Sequence, residues 1–295
     1  MAKRYAHTRR RKSRRARRSI RRSYIGKGGA PSNDITIGIL CWKSPRTITS
    51  TLESYQKNGL FDLVHPVIYI QERSPKYEEI AKKHGVNEIL GDEENTGILR
   101  ALIDLVNATK TKYFIFAECD FKLIHDKETT DKVLKQCIKL IEENDVQVVR
   151  LRDRKNPGEP MIARKFVPAK DDELQDYKFD QDFSYKLETV MFLDNPDEKF
   201  PGVFEVIDYD SRWYKCADKG CAPWSNNIFI TTTEFMKKKV FPILRARSGV
   251  NASGRNDEVF AKLETELIEK LSGYNVAQGP GLFTHERLDR GDSNS

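Results

Sequence analysis

The chain has 295 residues, 38% of them hydrophobic and 32% charged, enough for one large domain or two small ones with a very polar surface. The net charge of +7 is unevenly shared: residues 1–30 hold 13 Lys or Arg and no acid, leaving 38 of the 51 bases against 44 acids. The tail is therefore +13 and the body −6, which excludes a basic nucleic-acid-binding domain as the reading of the body.

No uncharged apolar run reaches the roughly 18 residues of a membrane span, and Met1 is not followed by an apolar signal region. A cytoplasmic protein, of a bacterium or a large DNA virus, is expected. The Arg-rich style of the tail leans toward a large DNA virus, with host cytoplasm or virion as its location. Cys41, Cys119, Cys137, Cys216 and Cys221 are odd in number and scattered, which suits free thiols in a reducing compartment. Cys216 and Cys221 could join a metal site, but no second Cys/His pair stands at a matching spacing.

In chain order, residues 1–33 form an Arg-rich stretch with few aliphatic residues, expected to be a disordered tail ending in the linker Gly26–Asn33. Ile35–Leu40 is a short Ile-rich run fit for a buried parallel strand. Arg46–Asn58 reads as a helix closed by Gly59. A strand Val67–Ile70, a helix near Lys76–His84 and a brief strand Glu88–Leu90 follow. Ile98, Leu99, Leu102, Ile103 and Val106 lie at helical spacing after Asn95. Tyr113–Ala117 is the next strand, Asp131–Glu143 a helix and Val146–Leu151 another strand.

This alternation predicts right-handed crossovers and a mostly parallel, Rossmann-type sheet flanked by helices. Residues 34–152 would form one half and 153–295 the other half of the same domain. The pattern weakens after residue 152. Asn226–Thr232 reads as a strand, Thr233–Val240 as a short helix, and Asn256 or Asp257 can cap a last helix through Leu271.

Two acids, Glu118 and Asp120, stand one residue apart where the Tyr113–Ala117 strand ends. Ligands of parallel sheets bind beyond the carboxyl ends of the strands. Adjacent carboxylates repel, and a divalent cation with oxygen ligands relieves that repulsion while sharing its shell with substrate phosphates. In isolation such a pair more often caps a helix and binds a base; its place at a strand end favours the site.

The order of strand, helix, acid-ended strand, short strand, N-x-G helix and acid-x-Asp strand resembles the GT-A glycosyltransferases, family-2-like members in particular, over residues 34–125 and again near the C-terminus. The resemblance implies transfer of a sugar from a nucleotide-sugar donor to a glycan or protein acceptor, dependent on Mn2+ or Mg2+, with residues 34–152 as the nucleotide-sugar-binding half and 153–295 as the acceptor-binding and catalytic half. Glu118-Cys119-Asp120 takes the place of the family's DxD motif, with Asp120 as metal ligand and Glu118 on the donor; Glu in first place is a departure.

By the same resemblance Glu72 would contact the base and Trp42 and Lys43 border the nucleotide. Asn95 and Gly97 would form the N-x-G turn, and Arg100 would face the diphosphate. Asp257 and Glu258 would supply the catalytic base of an inverting enzyme, although their order differs from the usual one, and His285 would complete the metal site. Trp213, Tyr214 and Trp224 are candidates for an acceptor platform.

The competing reading is a nucleic-acid-associated or virion structural protein acting through its tail, because Arg-rich segments displace counterions from DNA and RNA. The tail could equally touch an anionic membrane. A nucleotidyltransferase would be expected to show more carboxylates and a glycine-rich phosphate loop.

Overall fold

β1 (Ile35–Cys41) is buried along its whole length, as a strand covered on both faces must be. The computed structural model describes residues 34–159, 195–217, 224–248, 267 and 270–289. The basic tail, the pair Asp257 and Glu258 and most of the last expected helix lie outside the described residues.

The first half follows the expected alternation. After β1 come α1 (Pro45–Lys57), β2 (His65–Ile70), α2 (Pro75–Lys83), β3 (Glu88–Leu90), α3 (Gly97–Ala108) and β4 (Tyr113–Glu118). β5 (Phe121–Leu123), α4 (Lys127–Glu143) and β6 (Val148–Arg152) follow. α4 begins before the expected Asp131 because Asp126 caps it, its side chain accepting the Thr129 N–H at 2.8 Å.

Later come β7 (Gly158–Glu159), β8 (Glu205–Asp208), β9 (Arg212–Ala217), β10 (Phe229–Thr232) and the long β11 (Asn275–Glu286). The helix expected over 233–240 runs further, through a π-helical turn at Met236–Val240 and on to Ser248.

Among the described residues the strands form one mixed sheet in the order β3-β2-β1-β4-β10-β6-β11-β9-β8, with β5 and β7 pairing with β11. The fold is α/β. β3, β2, β1 and β4 are parallel. β10 runs antiparallel between β4 and β6, so β6 does not extend the parallel run directly, and β11 returns parallel to β6.

Alternate side chains of β4 feed two cores. Tyr113, Ile115 and Ala117 pack with α1 and α4, whereas Phe114 and Phe116 pack with α3 and the 233–248 helix. Each aromatic side chain buried this way stabilises the fold by roughly 1.5–3 kcal/mol. Gly38 permits the close approach of layers here: a Cβ at that position would stand 2.7 Å from the Phe114 ring.

Cys41, Cys119 and Cys137 are free and buried, as expected of thiols. Cys216 is disulfide-bonded, which corrects the free-thiol expectation there and removes it as a zinc thiolate.

Candidate functional site

The parallel register brings Leu40 opposite Glu118 and Cys41 opposite Ile70. β1, β2 and β4 therefore end along one edge, and the segments starting at Trp42, Gln71 and Cys119 leave the sheet side by side.

The turn after β4 is held from below by one face of α1. Thr51 Oγ1 donates to Cys119 O at 2.7 Å, Tyr55 Oη to Phe121 O at 2.6 Å and Asn58 Nδ2 to Leu123 O at 3.0 Å. Ser54 Oγ accepts the Leu123 N–H at 3.1 Å. These side chains recur at helical spacing and satisfy the backbone groups of residues 119–123, which would otherwise be costly to bury. Burial pushes the Tyr55 phenol up, so it remains a donor.

Asp120, presented by this turn, is 1% exposed. Arg287 reaches its Oδ2 with Nε at 3.0 Å and Nη2 at 2.5 Å, and His285 Nε2 lies 3.0 Å from the same oxygen. Burial alone would raise the Asp120 pKa; the hydrogen bond and charge of His285 and the Arg287 guanidinium outweigh it and hold the carboxyl below its ordinary range. Oδ1 of Asp120 is buried without a hydrogen-bond partner.

β11 brings His285 and Arg287 here through a bulge. Its pairing with β6 shifts between Gln278 and Phe283, and its last residues pair with β5, His285 opposite Phe121. Gly281 has φ +77°, and a Cβ on it would stand 2.3 Å from Arg152 O. At the end of the strand and just beyond it the chain crosses the site edge: Glu286 N donates to Asp120 O at 2.7 Å and Leu288 N to Thr47 Oγ1 at 2.9 Å. Asp289 Oδ2 accepts from Thr47 N at 2.9 Å and Thr47 Oγ1 at 2.7 Å. It thereby caps α1, whose own Ser44 makes no side-chain cap.

A second cluster gathers at the ends of β1 and β2. Glu72 accepts the Trp42 indole N–H at 3.1 Å and lies 3.0 Å from Lys43 Nζ. Lys43 and Glu72 both hold left-handed φ, 44° and 51°, a conformation uncommon and costly for non-glycine residues; Asp145 and Asn195 share it elsewhere in the chain. Trp42 is 48% exposed and forms an open apolar face there.

The remaining sequence candidates lie as follows. Asn95 Oδ1 accepts the Gly97 N–H at 3.0 Å, and Gln71, which the sequence reading passed over, anchors the start of α3 through Thr96 N and Gly97 O, each at 2.9 Å. Arg100 is bound to Asp104 at 2.6 Å one turn along α3, on an exposed face; this pairing raises its pKa.

Trp213 and Trp224 require correction as a shared acceptor platform. Trp213 is fully buried, donates to Gln136 Oε1 at 2.9 Å and belongs to the core under α1 and α4. Trp224 is also buried but belongs to the core on the other face, against Phe229. Tyr214 is buried as well, with Arg154 4.7 Å from its ring centre. Arg287, Asp289 and the α1 supports Thr51, Tyr55 and Asn58 were not singled out from sequence.

The residues fit a divalent cation in a limited way. Among the described residues no three His, Cys, Asp or Glu side chains converge as a ready cage. Asp120 nevertheless has a carboxylate oxygen with no donor, and His285 stands beside it. A cation held by so few protein groups would complete its shell with phosphate oxygens and water, as magnesium and manganese commonly do.

No protein-family model matches the chain, and no curated protein matches it. Solved structures resemble it distantly. TarS of S. aureus is 12% identical over 86% of this chain and 60% of its own, with a TM-score of 0.43, so the chain spans less than two thirds of that structure. Glucosyl-3-phosphoglycerate synthase of Mycobacterium tuberculosis, solved with Mn2+, UDP-glucose and phosphoglyceric acid, is 14% identical over 88% of this chain and 74% of its own, with a TM-score of 0.44. A cytidylyltransferase of Leptospira borgpetersenii is 12% identical over 87% and 78%, with a TM-score of 0.38. All are similar in broad outline only, and likenesses of this degree fix no activity.

Proposed function

We propose that the chain is a glycosyltransferase that binds a nucleotide-sugar at the edge formed by β1, β2 and β4 and passes the sugar to a glycan or protein acceptor. The observation that carries this reading is Asp120, an ionised, buried carboxylate with an unpartnered oxygen at the carboxyl end of a parallel strand. Its neighbours at that edge are the strained Trp42–Lys43–Glu72 cluster. Most buried carboxylate oxygens are paired, and this one stands at a strand end where a ligand of a parallel sheet would sit, which supports reading its open oxygen as a ligand position.

In this reading Trp42 stacks on the base, and Glu72 orients it. Lys43, 61% exposed and ion-paired with Glu72, would meet phosphate or ribose oxygens. Asp120 and His285 would hold Mn2+ or Mg2+, with Glu118 contributing to the donor. The cation would offset the negative charge that grows on the diphosphate leaving group. Asp257 or Glu258 is the proposed base of an inverting transfer, taking the proton of the acceptor hydroxyl as that oxygen attacks the anomeric carbon. Arg100, bound to Asp104, would have to exchange that partner to reach a diphosphate.

Incubation with a panel of nucleotide-sugars and Mn2+, with released nucleoside diphosphate as readout, tests the proposal. Release from one donor, dependent on Asp120, is expected. Release from none, with cytidylyl or other nucleotidyl transfer from a nucleoside triphosphate instead, would overturn it.

A further inference from the structure

We propose that Arg287 is a latch that closes Asp120 to cations, so that the Arg287–Asp120 pair and a bound divalent cation exclude one another. The inference rests on the metal reading above and concerns how the chain admits that cation.

Asp120 is 1% exposed and its Oδ1 is fully enclosed, so a hydrated cation carrying a diphosphate has no approach to it as the chain stands. The end of β11 and the residues just beyond it are tied to Asp120 and to the edge beside it. Glu286 N is bonded to Asp120 O, Arg287 clasps Oδ2 through two nitrogens, and Asp289 is tied to the start of α1 through Thr47. Lys122 Nζ holds Glu286 Oε2 at 2.8 Å.

Most of these ties serve backbone groups or exposed ions. The Arg287 fork alone among them neutralises the carboxylate that the cation needs. Arg287 is already a monocation at that oxygen, and its side chain is 38% exposed against 2% for Asp120. The arginine can therefore withdraw into solvent while the acid cannot. Placing a dication on Asp120 beside an undisplaced guanidinium would set like charges within a few ångströms of each other in a dry pocket. Exchange avoids this repulsion, and the released guanidinium lies at the same edge, where a diphosphate would take its planar fork.

The test is manganese binding to the full chain, read by electron paramagnetic resonance of free Mn2+, for wild type, Arg287→Gln, Arg287→Lys and Asp120→Asn. Losing a charged hydrogen-bonded competitor should tighten Mn2+ binding by about tenfold or more in Arg287→Gln. Arg287→Lys, which keeps the charge without the fork, should fall between it and wild type. Asp120→Asn should abolish the site. Equal or weaker binding in Arg287→Gln would overturn the latch. If that variant does not fold, Arg287→Lys decides in the same direction: tighter than wild type supports the latch, equal or weaker overturns it. If no variant binds Mn2+, the latch falls together with the metal. The transferase reading then stands or falls separately, by whether nucleoside diphosphate binds calorimetrically without metal.

Discussion

Tyr55 shows how much of the turn that presents Asp120 depends on single buried side chains. Its hydroxyl is the donor for Phe121 O, buried one residue after Asp120. Tyr55→Phe should leave that carbonyl unsatisfied and cost about 1–3 kcal/mol, seen as a lower urea midpoint with an unchanged m-value. Asp289→Ala should cost about 1 kcal/mol by removing the cap of α1, measured the same way. The proposed base makes a different demand. The amide variant of whichever of Asp257 and Glu258 acts should bind donor normally but transfer roughly 10²–10⁴-fold more slowly, read as a selective loss of kcat. Normal transfer in both variants would place the base elsewhere.

β11 is the element that assembles the site, and it is where the sequence was hardest to read. Its apolar pairs Val276–Ala277 and Leu282–Phe283 are separated by Gly279-Pro280-Gly281, so period-2 alternation breaks at the bulge and the stretch reads as a turn. β8 and β9 were hidden in a similar way, because their short hairpin mixes charges with aromatics. By contrast, β1 to β4 and their helices were legible, since buried parallel strands are near-continuous apolar runs. Asp120 was legible from its place at a strand end. Arg287 was not, because an ion pair across 167 positions leaves no local pattern. The tryptophans misled because an aromatic near a weakly periodic region fits a core as readily as a platform. Gly281→Ala tests the bulge. A side chain at φ +77°, with its Cβ 2.3 Å from Arg152 O, should cost more than about 1 kcal/mol. It should also weaken metal-dependent nucleotide binding by displacing His285. Binding unchanged in a folded variant would mean that β11 keeps its register without the glycine.

At the scale of the whole molecule, charge divides the chain into a +13 tail and a −6 body. Removing residues 1–30 should leave the melting temperature of the body unchanged and abolish salt-sensitive binding to nucleic acid, measured by fluorescence anisotropy at several salt concentrations. No helix among the described residues is long and apolar enough to cross a membrane. The proposed activity of the body turns on the edge where β1, β2 and β4 end, and on Asp120 in particular. Calorimetric titration of nucleoside diphosphates into wild type and Asp120→Asn, each with and without Mn2+, measures this directly. The account predicts that wild type binds one nucleoside diphosphate at least tenfold more tightly with Mn2+, on the order of 1.4 kcal/mol, and that Asp120→Asn loses this gain. Metal-independent binding that is identical in both proteins would contradict it.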